Sequence, residues 1–166
     1  CGGCSFQHAS KAFQLETKLM QFREALGATV PQEWLNPIFA NSYAYRTKAR
    51  LGVKYVDKKE RVLVGFREKM KPYITDTGCC PVLVDPVSKL IQPLMSLISV
   101  LSNPKSIPQI EVACGDEEVA LIFRHLKAVP DADLQKFRLF GKEKSVQVFL
   151  QPRGIDTTHK VFPQDG

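Results

Sequence analysis

The stretch from Arg46 to Arg67 constrains the fold most, because basic and apolar side chains alternate along its first half and a polar turn and a second apolar segment follow. Successive side chains of a β-strand point to opposite faces, so the alternation from Arg46 to Tyr55 predicts a strand with one basic and one apolar face. The polar stretch from Asp57 to Glu60 predicts a turn, and Arg61 to Arg67 predicts a returning strand. The sequence therefore predicts an antiparallel hairpin whose basic face is extended sideways by Arg67.

Helices are predicted from apolar spacing and from the residues that start and stop them. Apolar residues three and four apart predict an amphipathic helix from Ala12 to Leu26, which Gly27 ends. A second helix is predicted to begin with Asp85 as N-cap and to be kinked or split by Pro93. Between these helices, a connector is expected to be pinned to the core by Trp34, Leu35, Ile38 and Phe39.

The second half of the chain adds three more predicted strands and one helix. The strands run from Gln109 to Cys114, from Glu118 to His125 and from Ser145 to Gln151, with the helix at 132–140 before the last of them and a polar tail after it. This order predicts an α+β domain with a mainly antiparallel sheet of about five strands and two to three packed helices.

Chain length and apolar content indicate the class of protein. A chain of 166 residues that is 44% apolar can form one domain with a substantial core, and we predict a single domain. No apolar run reaches the roughly 18 to 20 residues needed to cross a bilayer, and the N-terminus lacks the pattern of a signal peptide. We therefore expect a soluble cytoplasmic protein without a membrane partner. No feature of the sequence indicates a protein partner, and we expect a monomer.

The formal charge of +6 is concentrated in one stretch. Between Asn41 and Lys71 there are ten basic and three acidic residues, so this stretch carries +7 and the remainder carries −1. Such a local surplus indicates a surface for a polyanion. Charge alone does not separate RNA from DNA, a membrane surface or plain solubility.

Three of the five cysteines lie in contexts that suit a metal. Cys1 and Cys4 bracket two glycines, and Cys80 precedes a proline, as the last cysteine of many ferredoxin-type motifs does. The side chain of the adjacent Cys79 diverges from that of Cys80 in an extended segment. Cys114 is interpreted as a small buried residue.

Three thiolates admit three interpretations. They are ordinary reduced cysteines, they form a zinc site that His8 completes, or they hold an iron–sulfur cluster whose fourth cysteine lies before residue 1. We favour the iron–sulfur cluster, because a chain that begins without methionine, inside a CxxC, is expected to be a fragment.

Four motifs together carry a resemblance to a known family. They are CGGCSFQHAS at 1–10, YRTKARL at 45–51, GFRE at 65–68 and CCPVL at 79–83. In this order and spacing the chain resembles the central domain of the bacterial 23S ribosomal RNA uracil-5-methyltransferases, which carry a 4Fe-4S cluster. The resemblance implies that 1–166 is the iron–sulfur and RNA-contacting domain, without the N-terminal β-barrel and the C-terminal S-adenosylmethionine-binding domain.

The resemblance also implies roles for particular residues. Cys1, Cys4 and Cys80 would be three of the four cluster ligands, and no catalytic residue is expected in this chain. The parent protein would methylate carbon 5 of a uridine in 23S ribosomal RNA, with S-adenosylmethionine as the methyl donor. The RNA would be held by basic residues, with a solvated strand face as the plain alternative. These candidates are Arg46, Lys48, Arg50, Lys54 and Arg67.

The aromatic residues of the basic stretch and the class of protein each admit two interpretations. Tyr43, Tyr45 and Phe66 are candidates for stacking on bases, with core packing as the alternative for each. The competing function is a stand-alone zinc- or iron–sulfur-binding nucleic-acid interaction module without any link to methylation.

Overall fold

A six-stranded sheet in the order β2-β1-β3-β4-β5-β6 is the largest element of the computed structural model, which describes residues 1–164. Neighbouring strands are antiparallel except β4 and β5, which run parallel. The predicted α+β class and mainly antiparallel sheet are confirmed. The strands are β1 Lys48–Val56, β2 Arg61–Gly65, β3 Gln109–Cys114, β4 Val119–Arg124, β5 Gln147–Gln151 and β6 His159–Phe162.

The sixth strand lies in the segment that was expected to be a polar tail. β6 has four residues, of which only Val161 is buried, and it pairs with β5. A strand this short at the edge of a sheet buries too little apolar surface to show alternation in the sequence.

The chain divides into two compact units. One contains Cys1–Gly3 and the chain from Tyr43 onward, and therefore the whole sheet. The other, Cys4–Ser42, contains the first helix. The helices are α1 Lys11–Leu26, α2 Asp85–Ser88, α3 Ile91–Ser99 and α4 Asp131–Lys144.

The predicted second helix is split into α2 and α3, which are separated by two residues. The split places Pro93 in the first turn of α3, where a missing backbone N–H leaves no helical hydrogen bond unmade. Asp85 is not the N-cap that the sequence predicted, because α2 already begins there and Val84 occupies the cap position.

The core lies between one face of the sheet and helices α3 and α4. Leu94 and Ile98 of α3 and Phe137 of α4 are fully buried, and the Phe137 ring packs 4.8 Å from that of Phe123 on β4. The helices cover one face of the sheet, and the other face is not covered by them, as is common for antiparallel sheets.

The unit Cys4–Ser42 is built around α1. Ser10 caps the helix by accepting a hydrogen bond from the N–H of Phe13 at 3.3 Å, and Gly27, with φ of 56°, ends it as predicted. No residue of α1 is fully buried.

The prediction that the connector packs on the core is wrong. Trp34 is 48% exposed and Ile38 fully exposed, with Leu35 and Phe39 between these values. Trp34 packs on the helix of its own unit instead, edge-on to the Phe22 ring at 6.0 Å and under Arg23 at 5.3 Å.

Among residues 1–164, no helix has both the length and the apolar character required to span a bilayer.

Candidate functional site

The basic face predicted for the first strand is present on β1. Lys48, Arg50 and Lys54 are exposed, and they alternate with Ala49, Leu51 and Val53, which are buried. The predicted strand and its two faces are confirmed, and three of the five predicted binding residues project from one side of it.

Arg46 lies two residues before β1 and is held more tightly. Its main chain is hydrogen-bonded to Val82 at 2.8 Å and to Val84 at 3.1 Å. Its Nε donates to the Lys48 carbonyl at 2.9 Å, and its guanidinium carbon lies 4.9 Å from the centre of the Phe66 ring. Arg46 therefore links the basic strand to the segment that follows Cys80.

Glu111, which was not among the residues predicted from the sequence, lies directly across from Arg50 on β3. Its Oε1 accepts hydrogen bonds from Arg50 Nε at 3.0 Å and from Gln109 Nε2 at 2.9 Å. The Arg50 side chain is 71% exposed, so this ion pair is a weak contact in water. Its effect is to lower the positive charge at the centre of the face.

Arg67 is not on the second strand, which ends at Gly65. The chain folds back after β2, so that Arg67 pairs with Ile74 in an isolated antiparallel bridge. Its Nη1 donates to the Pro72 carbonyl at 3.1 Å. The prediction that the returning strand reaches Arg67 is therefore wrong, although Arg67 itself is exposed.

Residues 66–76, which we call the fold-back segment, cover part of the basic side of the sheet. A Cβ on Gly52 would press against Ile74 Cδ1, so Ile74 packs directly over this position of β1. Ile74 and Leu63 of β2 are consequently buried on the side of the sheet away from the helices. This coverage separates Lys54 from Arg50 on the strand.

Asp76 fixes the end of the fold-back segment through two cations. It accepts hydrogen bonds from Lys59 at 3.0 Å and from Arg61. The hydrogen bond from Lys59 and the charge of Arg61 hold the pKa of Asp76 below its ordinary value of 3.8, against a smaller opposing effect of desolvation. Lys59 and Arg61 of the basic stretch are therefore paired with a carboxylate of the same chain.

The aromatic candidates separate into two kinds. Tyr43 and Tyr45 are each 55% exposed, so core packing is not their role. Phe66 is half-buried against the core and lies beneath Arg46.

Cys80 has a fixed main chain. Its N–H donates to Ser88 Oγ at 3.1 Å, and the same hydroxyl donates to the Cys80 carbonyl at 3.0 Å. Cys80 is half-buried against the core, whereas Cys79 is exposed. The two neighbouring thiols thus have different environments, as their opposed side-chain directions predict.

Cys1 lies beside the fold-back segment, because the N–H of Gly2 donates to the Arg67 carbonyl at 2.8 Å. A Cβ on Gly2 would lie 2.9 Å from both that carbonyl oxygen and the N of Lys69, so only glycine fits. Cys1 Sγ is exposed and accepts a 3.4 Å hydrogen bond from the N–H of Gly3.

The remaining thiols have simpler surroundings. Cys4 is half-buried at the start of the second unit, in which His8 stacks on Phe6 at 6.4 Å. Cys114 is the last residue of β3 and is half-buried rather than fully buried, with Sγ directed to the Gly115 carbonyl at 3.3 Å.

The cysteines supply the donor atoms for a metal, but within residues 1–164 they are not grouped as a metal site. All five cysteines are free thiols, the donors that iron–sulfur clusters require. In the part of the chain that the structure describes, however, no three side chains of Cys, His, Asp or Glu are grouped to hold a metal ion. The donor chemistry fits a cluster, and the ligand set of Cys1, Cys4 and Cys80 stays a prediction.

The chain is 42% identical over 169 aligned residues to the 23S rRNA (uracil(1939)-C(5))-methyltransferase RlmD of Hahella chejuensis, covering 100% of this chain. It is 46% identical to the protein of the same name from Nitrosococcus oceani, covering 98% of this chain. The chain is homologous to a segment of these methyltransferases.

The resemblance to the uracil-C5-methyltransferases that the four motifs indicated is thereby confirmed. The chain spans 38% of the Hahella methyltransferase and 37% of the Nitrosococcus methyltransferase. No family model matches the chain.

A solved structure supports the fold. The Pyrococcus abyssi tRNA (uracil-54, C5)-methyltransferase, solved in complex with S-adenosyl-L-homocysteine, superposes with a TM-score of 0.60. The match covers 95% of this chain and 40% of that protein, at 21% sequence identity. At this identity the likeness establishes a shared fold.

Proposed function

We propose that this chain is the RNA-holding part of an S-adenosylmethionine-dependent enzyme that methylates carbon 5 of a uridine in 23S ribosomal RNA. The observation that carries the proposal is the identity of 41% to 46% over almost the whole chain with methyltransferases named for that reaction. Ribosomal RNA as substrate makes the cytoplasm the place of action. We assign no catalytic residue to this chain.

The exposed basic face of β1 supports a role in holding RNA. Side chains at alternate positions of a strand recur about every 7 Å along one face, so Lys48 and Arg50 can reach neighbouring phosphates of one RNA strand. Lys54 adds a third cation beyond the fold-back segment, and Arg46 and Arg67 add charge at its two ends. Phosphate contacts position RNA without reading its sequence, which suits a domain that presents a base to a site elsewhere.

RNA binding tests this proposal. The labelled probe is a 23S ribosomal RNA fragment containing the uridine that the relatives' names specify, and the variant is Lys48→Gln/Arg50→Gln/Lys54→Gln. We expect binding to weaken at least about tenfold at moderate salt, and the slope of log affinity against log salt to fall by roughly two.

A matched control removes the same charge elsewhere. Lys127, Lys142 and Arg153 are exposed and lie outside β1, so Lys127→Gln/Lys142→Gln/Arg153→Gln tests the effect of net charge alone. Equal losses in the two triple variants would show that overall charge, and not the strand face, attracts RNA.

We also propose that Cys1, Cys4 and Cys80 hold three corners of a 4Fe-4S cluster, with a fourth ligand from outside the described residues. Support comes from the free thiols, from the doubly hydrogen-bonded main chain of Cys80 and from the close packing of Gly2. A bound cluster would act as a structural brace, because methyl transfer from S-adenosylmethionine consumes no electrons.

Anaerobic reconstitution tests the cluster. The chain is incubated with ferrous iron, sulfide and a small thiol that can supply the fourth ligand, and its bound iron and sulfide are measured. Alanine at position 1, 4 or 80 is expected to lower the iron content, whereas Cys79→Ala and Cys114→Ala are not. Bound zinc without iron would instead favour the stand-alone zinc module.

A further inference from the structure

The side of the sheet away from α3 and α4 has a continuous row of aligned residues across five strands. Strand register places Arg50 opposite Glu111, Glu111 opposite Ile122, Ile122 opposite Phe149 and Phe149 opposite Lys160. Adjacent strands are about 4.8 Å apart, so the row spans about 19 Å. Its two ends are cations, and its centre is apolar.

The rows on either side have the same character. One runs from Lys48 on β1 through Ala113 and Ala120 to Gln147 on β5. The small side chains of Ala113 and Ala120 leave Ile122 and Phe149 standing out from the face, and all four are half-buried.

The other neighbouring row adds amides and a further cation. It runs from Gly52 through Gln109 and Arg124 to Gln151. Over the three rows and Lys54, five cations accompany one carboxylate, that of Glu111. A second carboxylate, Glu118, lies at the rim and accepts a hydrogen bond from Gln147 at 2.6 Å.

Phe149 is the aromatic residue of this face. The Nζ of Lys160 lies 5.8 Å from the centre of its ring, close enough for an attraction between the cation and the ring. An aromatic ring beside a cation is the arrangement with which proteins hold unstacked bases, the ring stacking on the base and the cation meeting the phosphate.

We infer that this face of the sheet binds single-stranded RNA, with a base stacked on Phe149 and Ile122 and phosphates on Lys48, Arg50 and Lys160. The inference rests on the proposed RNA-holding role and extends it from one strand to the whole sheet. Five cations against one carboxylate give this face a net positive charge, which favours a polyanion such as RNA over a protein partner. The apolar centre favours single strands, because a duplex presents its backbone and keeps its bases stacked.

Fluorescence anisotropy with a labelled oligouridine of 12 nucleotides tests the inference, with an RNA duplex of the same length as the second probe. Phe149→Ala is expected to weaken binding to the single strand at least about fivefold and to change duplex binding less. Leu139→Ala is the matched control, since Leu139 is 57% exposed on α4.

A second variant, which retains an aromatic ring at position 149, tests base stacking even if Phe149→Ala unfolds the protein. Phe149→Trp is made in a Trp34→Phe background, so that the new indole is the only tryptophan. Near wild-type affinity, together with quenching of its fluorescence by oligouridine, supports base stacking. An unquenched indole at saturating RNA would overturn the inference.

The outcomes separate this inference from the proposed function. Loss of affinity in the triple variant of β1 together with unchanged affinity in Phe149→Ala overturns the stacking surface and leaves the RNA-holding role intact. Unchanged affinity in both variants overturns the RNA-holding role as well. If Phe149→Ala instead abolishes self-association of the chain without changing RNA affinity, the face is a protein interface and the inference is wrong.

Discussion

Lys136 Nζ donates one hydrogen bond to Asp133 Oδ1 and another to the Val100 carbonyl, both at 2.7 Å. Asp133 Oδ2 in turn accepts from the N–H of Ser102 at 2.9 Å. Asp133 is 3% exposed and lies in the first turn of α4, whereas Val100 and Ser102 follow α3. One buried carboxylate and one ammonium therefore fasten the end of α3 to the start of α4.

Asp133→Asn is expected to lower the free energy of unfolding by about 1 to 3 kcal/mol, because the neutral amide weakens a charged hydrogen bond and leaves buried groups poorly matched. Urea unfolding followed by circular dichroism measures this change. Asp131→Asn is the control: Asp131 lies in the same turn but is exposed, and its loss should cost about 0.3 to 1 kcal/mol through the helix dipole. Equal costs would contradict a special role for Asp133.

The same carboxylate predicts a pH dependence of stability. Burial alone would raise the pKa of Asp133, but the hydrogen bonds from Lys136 and Ser102 outweigh it and hold the pKa below the ordinary value of 3.8. The unfolded chain thus binds this proton at a higher pH than the folded chain does, so stability is lost as the pH falls.

We therefore expect the stability difference between wild type and Asp133→Asn to be constant above about pH 5 and to shrink as the pH falls below 3.8. Asp57 and Asp76 also have lowered pKa values, but they titrate in both proteins and cancel in the difference. Urea unfolding at several pH values measures it. A difference that grows as the pH falls would contradict the sign.

The fold-back segment yields a third prediction, at Gly52. Alanine normally strengthens a strand relative to glycine, but here its Cβ would press against Ile74 Cδ1, which is buried. Gly52→Ala is therefore expected to destabilise the protein by about 1 to 3 kcal/mol through overpacking. In an Ile74→Ala background the same change should become neutral or stabilising, and urea unfolding of the four proteins measures the coupling. Additive effects would show that Ile74 does not press on Gly52.

The sequence predicted the elements whose pattern of buried and exposed residues depends only on local periodicity. The alternation along β1 was sufficient to place Lys48, Arg50 and Lys54 on one face, because strand periodicity needs no knowledge of the rest of the chain. Pro93 likewise marked the split between α2 and α3.

Features that depend on long-range pairing were not predictable in the same way. Ile74 covers Gly52 only because the chain reverses after Gly65, and Arg50 meets Glu111 only because β3 joins β1 across 61 positions of sequence. Trp34 was expected in the core on its apolar character alone, but the contacts on α1 that hold it carry no clear signal in the sequence. Register and fold-back contacts are set by the whole sheet.

The pairing of Arg50 with Glu111 leads to the last prediction. Glu111 is the one carboxylate in the three aligned rows of the sheet face for which we propose RNA binding. Its negative charge lowers the positive potential that a phosphate would meet. Glu111→Gln keeps the shape of the side chain and removes its charge. We expect oligouridine to bind up to about fivefold more tightly, because a surface ion pair contributes at most about 1 kcal/mol. The salt dependence of binding should steepen, because Arg50, no longer paired with a carboxylate, can release a further counterion.

Glu117→Gln is the control for this prediction. Glu117 is exposed in the turn between β3 and β4, so its substitution removes the same charge away from the face. If the two variants gain affinity equally, the effect is one of net charge, and the local role of Glu111 is refuted.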